Sequence, residues 1–254
     1  GGTLSERDMA EYKPFVWDGG LEFGYRGHTV RVPPFASAGL TSAMTLKLLN
    51  GFDIASMGHN SVEMLHAFIY AARLAYADRF EYMADPEFAD VPWKGMVSDA
   101  YTDIRRAGID PSTLGGIASG DPWALEGRRP TEILESSAPA LDRGTTHLCV
   151  IDGEGNGVSL TNTVMSGFGS GIIPKGSGVV MNNGMMWYDP VPGRVNSIMP
   201  GKFPLNNMTP ALVLDDRGVK IAVGASGGRR ITNCVAHLTV KMVDSGMGPQ
   251  ESID

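Results

Sequence analysis

The fold is decided by the stretch GTTHLCVIDGEGNGVSLTNTV, which spans residues 144–164. Its first half is rich in β-branched residues and predicts a strand, and glycines then alternate with polar residues, as is typical of a tight turn. A second strand-like run follows, so the stretch predicts a β-hairpin. If residues 153–155 form the loop, Thr145 lies directly opposite Thr163.

The chain changes character at this hairpin. Few glycines fall between residues 52 and 110, whereas the region 144–228 is rich in them. Residues 109–144 carry prolines, glycines and charges without any period, and they predict a loop or mobile linker. We therefore divide the chain into residues 1–144, which are mostly helical and end in this linker, and residues 145–254, which predict an antiparallel sheet and a helix.

Three longer helices are predicted around these features. Residues 40–49 favour helix by composition, and the apolar positions of residues 62–76 recur at helical spacing, with Asn60 and Glu63 as the predicted capping pair. Residues 231–242 carry one apolar face of a further helix.

Short elements complete the predicted α+β fold. Ser5 begins a short helix with a capping box. The pattern also predicts an extended segment and three further strands, at residues 27–32, 178–182, 211–214 and 219–223.

Composition excludes several classes of protein. The chain has 254 residues, 43% of them hydrophobic and 19% charged, which is typical of a globular protein and not of a disordered one. Its 21 basic and 28 acidic residues give a net charge of −7, so no basic field points to nucleic acid. No run approaches the roughly 20 apolar residues of a membrane span. The two cysteines and five histidines lack metal-ligand spacing, so we predict neither a metal site nor a cofactor.

Thr145 is the candidate nucleophile because it lies at the border between the linker and the hairpin. A threonine hydroxyl is a weak nucleophile unless a base is beside it. Cleavage between Gly144 and Thr145 would create an α-amino group with a pKa of about 7.7 to 8.0, which suits that task. Thr163 would orient the hydroxyl from the opposite strand. The plain alternative is that threonine is simply a good strand former.

A glycine-rich loop, residues 224–230, lies between a predicted strand and a predicted helix. Its backbone N–H groups suit an oxyanion hole or an anion nest. A tight turn without further function explains the glycines equally well. The spacing matches no nucleotide-binding motif.

Taken together, these motifs resemble the gamma-glutamyltranspeptidase family of N-terminal-nucleophile hydrolases, which cleave themselves. The resemblance implies a four-layer αββα sandwich that is incomplete at both ends of this chain. It also implies one precursor whose large subunit ends with residues 1–144 and whose small subunit begins with residues 145–254. Further landmarks of the family occur in order at residues 1–2, 25–27, 33–34, 75–79, 85–86, 182–183, 204–210 and 224–231.

Roles for individual residues follow from the resemblance. Thr145 corresponds to the nucleophile, Thr163 to its hydrogen-bond partner, and Gly227 and Gly228 to the oxyanion hole. Asn206 and Asn207 stand where two serines hold the substrate carboxylate.

Three other substrate-binding positions depart from the family pattern. A family asparagine, glutamine and aspartate are replaced here by Met165, Gly184 and Trp187. This stretch is similar to that of cephalosporin-acylase-like members. Asp189, two residues further on, would restore a partner for the substrate's ammonium group.

The predicted activity is acyl transfer or hydrolysis of a small-molecule amide, such as the gamma-glutamyl amide glutathione, without a cofactor. One alternative is an amidohydrolase of the glutaryl or cephalosporin type. The other is a non-catalytic, unprocessed relative that binds an anionic metabolite at the glycine loop. Many relatives are periplasmic or secreted, and the sequence is equally compatible with a cytoplasmic location and with a homo-oligomer.

Overall fold

The computed structural model describes residues 5–110, 113, 115–130 and 144–254. The helices within these residues are α1 (Glu6–Glu11), α2 (Gly39–Leu49), α3 (Ile54–Met57), α4 (Val62–Tyr82), α5 (Trp93–Met96), α6 (Asp99–Ala107), α7 (Arg230–Val243) and α8 (Pro249–Ile253), with short 3-10 helices at Pro122–Leu125 and Gly184–Trp187. The strands are β1 (Leu21–Tyr25), β2 (His28–Val32), β3 (Thr145–Ile151), β4 (Gly157–Thr163), β5 (Ala211–Asp215) and β6 (Gly218–Val223).

The six strands form two antiparallel sheets. One has the order β1-β2-β5-β6, and the other is the predicted hairpin of β3 and β4. The α+β prediction is confirmed. The pairing of β2 with β5, with Val30 opposite Val213, joins the two segments into which the sequence divides the chain.

The core lies between the four-stranded sheet and the helices. Side chains such as Val30 and Val213 on the sheet pack with Leu46 of α2, Phe68 of α4 and Val235 of α7. The hairpin contacts β5 and β6, but none of its described residues joins this cluster, which places it on the other face of the sheet. Helices, sheet and hairpin are thus three successive layers of the predicted sandwich.

The outer face of the hairpin is apolar, with four side chains about half exposed. These four are Leu148, Val150, Val158 and Leu160.

The three longer predicted helices are confirmed as α2, α4 and α7, and the short capped helix at Ser5 is confirmed as α1. The predicted cap of α4 is wrong by one residue. Ser61 is the N-cap, and its Oγ accepts from Met64 N–H at 3.0 Å. Asn60 instead adopts a left-handed φ of 52°, a conformation that asparagine tolerates in turns.

The predicted strand at residues 178–182 is also wrong. Gly178 has a φ of 65°, which interrupts an extended backbone at the first residue of the run. Met181 alone pairs with the facing loop, donating to Ile172 O and accepting from Ser170 N–H. The sequence did not predict β1, α3, α5, α6 or α8.

The predicted linker is described only in part. Its residues 111–112, 114 and 131–143 lie outside the described residues, and Pro122–Leu125 forms a 3-10 helix within the remainder. Across the part of the chain that the structure does describe, no helix combines the length and the apolar character that a bilayer crossing requires.

Candidate active site

The hairpin brings the two predicted threonines together. Thr145 pairs with Thr163 across β3 and β4, and the side-chain oxygens of the two residues lie 2.9 Å apart. Either hydroxyl can donate in this bond. The predicted register is confirmed, while the chemical roles of the two threonines stay predictions.

Backbone groups orient the hydroxyl of Thr163. Met165 N–H donates to Thr163 Oγ1 at 2.9 Å, and Met165 is itself buried, with a left-handed φ of 73°. Since one lone pair of Thr163 Oγ1 accepts this bond, its proton is available to Thr145 or to the carbonyl oxygen of Gly144, which lies 3.5 Å away.

Gly144 precedes the candidate nucleophile in a conformation that suits only glycine. Its φ is 116°, and a Cβ added there would lie 2.7 Å from the carbonyl oxygen of Ser166. The carbonyl oxygen of Gly144 accepts from Val164 N–H at 3.2 Å. The carbonyl of the predicted scissile bond is therefore held in place at the end of the hairpin.

Replacing Gly144 by alanine is expected to slow cleavage at this bond at least tenfold. The left-handed φ costs a non-glycine residue about 1–3 kcal/mol, and the clash with Ser166 displaces the carbonyl from Thr145. The measurement is the appearance of the two fragments over time, by intact mass, in the full-length protein. Gly153→Ala is the matched control, because a Cβ there meets nothing within 4 Å. Cleavage of Gly144→Ala at the wild-type rate would contradict the assignment.

Beyond the threonines, a row of polar side chains continues along the same face of β3. His147 Nδ1 lies 2.8 Å from Thr161 Oγ1 of β4, and His147 Nε2 lies 3.0 Å from Cys149 Sγ. Burial lowers the pKa of His147 and raises the pKa of the Cys149 thiol, so both groups are uncharged at neutral pH. The row is a set of fixed hydrogen bonds without formal charge.

The glycine loop begins against this row. The carbonyl oxygen of Val223, where β6 ends, accepts from Ser159 Oγ of β4 at 2.9 Å. At the next residue, Gly224, an added Cβ would overlap the ring of His147. The absence of a side chain at Gly224 is what lets the loop approach the hairpin this closely.

Gly227 and Gly228 complete the loop before α7. Both have left-handed φ values, 126° and 64°, and their carbonyls accept from the first N–H groups of the helix. Their own N–H groups find no acceptor among the described residues. The pair is therefore free to donate to a ligand, as an oxyanion hole requires.

Asn206 and Asn207 lie in the loop before β5, and the chain itself engages Asn206. Asn206 Nδ2 donates to Ala36 O at 2.7 Å, and Asn206 Oδ1 accepts from Met208 N–H at 3.0 Å. Asn207 Oδ1 lies 3.4 Å from the guanidinium of Arg79, while its buried Nδ2 has no partner among the described residues. Asn206 thus uses one of the two N–H donors of its amide, whereas neither donor of the Asn207 amide has a partner among the described residues.

Gly184 and Trp187 form a packed 3-10 turn. A Cβ at Gly184 would lie 2.8 Å from Asn182 Oδ1 and 2.9 Å from the ring of Trp187, so this backbone has no room for a side chain there. Trp187 is buried, with 6% of its surface exposed. The turn is built by packing, with Trp187 in the interior.

Asp189 is buried beside this turn and is neutralised within its own loop. Its Oδ2 lies 3.1 Å from Arg194 Nη1, and its Oδ1 accepts from Val191 N–H at 2.9 Å. Both carboxylate oxygens thus have partners, and the carboxylate does not stand ready for a substrate ammonium group.

No group of three or more His, Cys, Asp or Glu side chains with metal-binding geometry occurs among the described residues. Among the described residues, the groups that converge on the hairpin are hydroxyls, backbone N–H groups, one imidazole and one thiol. Such a set suits acyl transfer, in which a hydroxyl attacks and N–H groups hold the oxyanion.

Comparison with known proteins decides the family. The family model described as gamma-glutamyltranspeptidase matches residues 1–254. The chain belongs to the gamma-glutamyltranspeptidase family. It is 32% identical over 257 residues to the glutathione hydrolase proenzyme of Bacillus subtilis subsp. natto, and 32% identical over 255 residues to the Acylase ACY 1 proenzyme of Pseudomonas sp. (strain SE83). Both alignments cover 100% of this chain, which spans 44% and 43% of these relatives.

A solved structure extends the family likeness to the fold. The crystal structure of cephalosporin acylase from Bacillus halodurans matches with a TM-score of 0.83 at 26% identity, covering 100% of this chain and 42% of that chain. The predicted N-terminal-nucleophile hydrolase fold is therefore confirmed.

Sequence reasoning missed two arginines of this gamma-glutamyltranspeptidase family member. Arg79 lies on the buried face of α4 and holds the loop of Asn206 by a 2.7 Å bond to its carbonyl oxygen. The sequence does contain a signal for Arg79, because the charged pair Asp78 and Arg79 interrupts an apolar helix face. The bond from Arg194 to Asp189 had no such signal, because it depends on how the loop closes.

Proposed function

We propose that this chain carries the self-cleaving acyl-transfer site of a gamma-glutamyltranspeptidase-type enzyme, with Thr145 as nucleophile. The observation that carries the proposal is the 2.9 Å bond between the hydroxyls of Thr145 and Thr163, beside the carbonyl of Gly144, which Val164 N–H holds in place. The names of the relatives, glutathione hydrolase proenzyme and Acylase ACY 1 proenzyme, support both a precursor and an amide substrate.

The first step is cleavage of the chain itself. Thr145 Oγ1 attacks the carbonyl carbon of Gly144 as its proton passes through Thr163, and the N–H of Val164 faces the oxygen that becomes negative. The peptide C–N bond breaks as the nitrogen of Thr145 takes a proton, which leaves an ester. Water hydrolyses that ester to the carboxylate of Gly144 and a free hydroxyl and amine on Thr145.

The two products remain one folded unit. Residues 1–144 end the large subunit and residues 145–254 begin the small one. The ladder between β2 and β5, with Thr29 opposite Leu214 and Arg31 opposite Leu212, supports this because it joins the two pieces.

Turnover uses the groups that cleavage releases. The amine of Thr145 takes the hydroxyl proton as the oxygen attacks the substrate amide, and Gly227 and Gly228 donate to the oxyanion. The amine of the substrate leaves with that proton, and the acyl group stays on Thr145 as an ester. Water or a second amine then releases it, so the cycle needs only the chain, the substrate and water.

The acyl group is a gamma-glutamyl group or a close relative of one. A second candidate is a glutaryl-type group, which has the carboxylate but no ammonium. The contacts of Asp189 favour this candidate, because Asp189 already has partners within the chain. Its carboxylate is bonded to Arg194 and Val191, and Trp187 occupies the family's aspartate position. A zwitterionic head without an acidic partner loses about 3 kcal/mol or more of binding.

The test compares a chromogenic gamma-glutamyl anilide with the matching glutaryl anilide on the full-length protein. We expect kcat/KM for the gamma-glutamyl compound to be the higher of the two. A glutaryl value that equals or exceeds it would overturn the gamma-glutamyl assignment in favour of the glutaryl-type candidate. A gamma-glutamyl preference of tenfold or more would show that another acid serves the ammonium group. An uncut chain with no turnover of either compound would favour the non-catalytic relative.

A further inference from the structure

A cleft of about 430 Å³ lies between α4 and α7, in the helical layer. Apolar and aromatic side chains of α4, among them Tyr76 and Phe80, form one wall. Arg73 of α4 and two arginines at the start of α7, Arg229 and Arg230, also line it. No aspartate or glutamate of the described residues is among the lining side chains.

The three arginines have no acidic partner in the part of the chain that the structure describes. No carboxylate of a described residue lies within 4.0 Å of the guanidinium of Arg73, Arg229 or Arg230. The chain has 28 acidic residues against 21 basic ones, so an acid-free cluster of arginines stands out. The positive charge of this cluster is therefore available to an anion from outside the described residues.

Arg229 is held in position within the cleft. Tyr76 Oη donates to its carbonyl oxygen at 2.8 Å, and its guanidinium carbon lies 5.8 Å from the ring centre of Phe80. Its Nε is buried and has no hydrogen-bond acceptor among the described residues. An oriented, buried donor without an acceptor costs free energy until a ligand supplies one.

A fourth arginine adds to the positive potential. Arg79 of α4 is buried beneath this region, and its guanidinium contacts only neutral acceptors, such as Thr41 Oγ1 at 3.2 Å and Asn206 O at 2.7 Å. No carboxylate of a described residue therefore forms an ion pair with Arg79.

We propose that this cleft binds a small organic anion, with a carboxylate or phosphate head held by Arg229 and its neighbouring arginines. Guanidinium groups bind both heads through paired N–H bonds. The apolar wall of α4 takes the body of the ligand, and the volume is within the usual range for small-molecule sites. Thr145 does not line the cleft, although Arg229 and Arg230 directly follow the glycine pair, so binding here can be tested without the proposed acyl-transfer reaction.

The test measures binding to the full-length protein by calorimetry, with three probes: inorganic phosphate, phenyl phosphate and phenylacetate. We expect saturable binding, with phenyl phosphate at least tenfold tighter than inorganic phosphate because only the former contacts the apolar wall. Tighter phenyl phosphate than phenylacetate identifies a phosphate ligand, and the reverse order a carboxylate ligand. The same affinities are expected in the Thr145→Ala protein, which separates this site from the reaction.

Variants locate the site. Arg229→Gln and, separately, Arg73→Gln are each expected to weaken the preferred probe at least tenfold, and Arg229→Lys less than Arg229→Gln. Arg73 is exposed on α4, so its replacement spares the fold. Arg217→Gln is the matched control, because Arg217 is an exposed arginine far along the sheet at the turn before β6. Absence of saturable binding, or equal affinities in the cleft variants and the control, would overturn the proposal.

Discussion

Replacing Thr145 by alanine is expected to leave the full-length protein as one uncut chain, even after prolonged incubation. The reason is that Thr145 directly follows the carbonyl of Gly144, and its Oγ1 lies 2.9 Å from Thr163 Oγ1. Removing an activated nucleophile stops the covalent step outright. Intact mass and N-terminal sequencing check this, since the proposal expects the wild-type small fragment to begin Thr145-Thr146-His147.

The control for this experiment is Thr145→Ser. Serine keeps the hydroxyl, so cleavage is expected to persist at a reduced rate. Loss of the bond to Thr163 changes stability by only about 1 kcal/mol, so circular dichroism of the alanine variant should match the wild type. Cleavage at the same bond in Thr145→Ala would eliminate Thr145 as the nucleophile.

The hairpin shows how far sequence can reach. A glycine-rich loop of three residues leaves one register in which the polar and apolar faces stay consistent, and that register places Thr145 opposite Thr163. Local chemistry of this kind is readable without a structure. The cap of α4 marks the limit, because Asn60 and Ser61 are both good caps and only the backbone of the preceding turn decides between them.

Long-range contacts were beyond prediction. Gly224 and His147 are far apart in the sequence, and only the packing of β6 on the hairpin brings them together. In the same way, Arg79 of α4 contacts the Asn206 loop, which lies 127 residues further along the chain. The resemblance to a family supplied the site residues, but it contained no information about which side chains this chain already uses for itself, such as Asp189.

Replacing Gly224 by alanine is expected to lower the free energy of unfolding by about 2 kcal/mol or more and to abolish cleavage. The new methyl group would overlap the His147 ring, which is fixed by Thr161 Oγ1 and Cys149 Sγ. Either the ring loses these bonds or the loop that carries Gly227 and Gly228 moves away from the hairpin. Urea unfolding and the fragment time course measure the two effects.

The double variant Gly224→Ala/His147→Ala shows how much of the lost stability comes from the overlap between the new methyl group and the His147 ring. His147→Ala alone loses two hydrogen bonds, worth about 1–2 kcal/mol together. If the overlap is the cause, the double variant should be more stable than the sum of the single effects predicts, with a coupling of about 1 kcal/mol or more. Additive losses would mean that the alanine methyl group and the imidazole never meet, and that Gly224 is required for another reason.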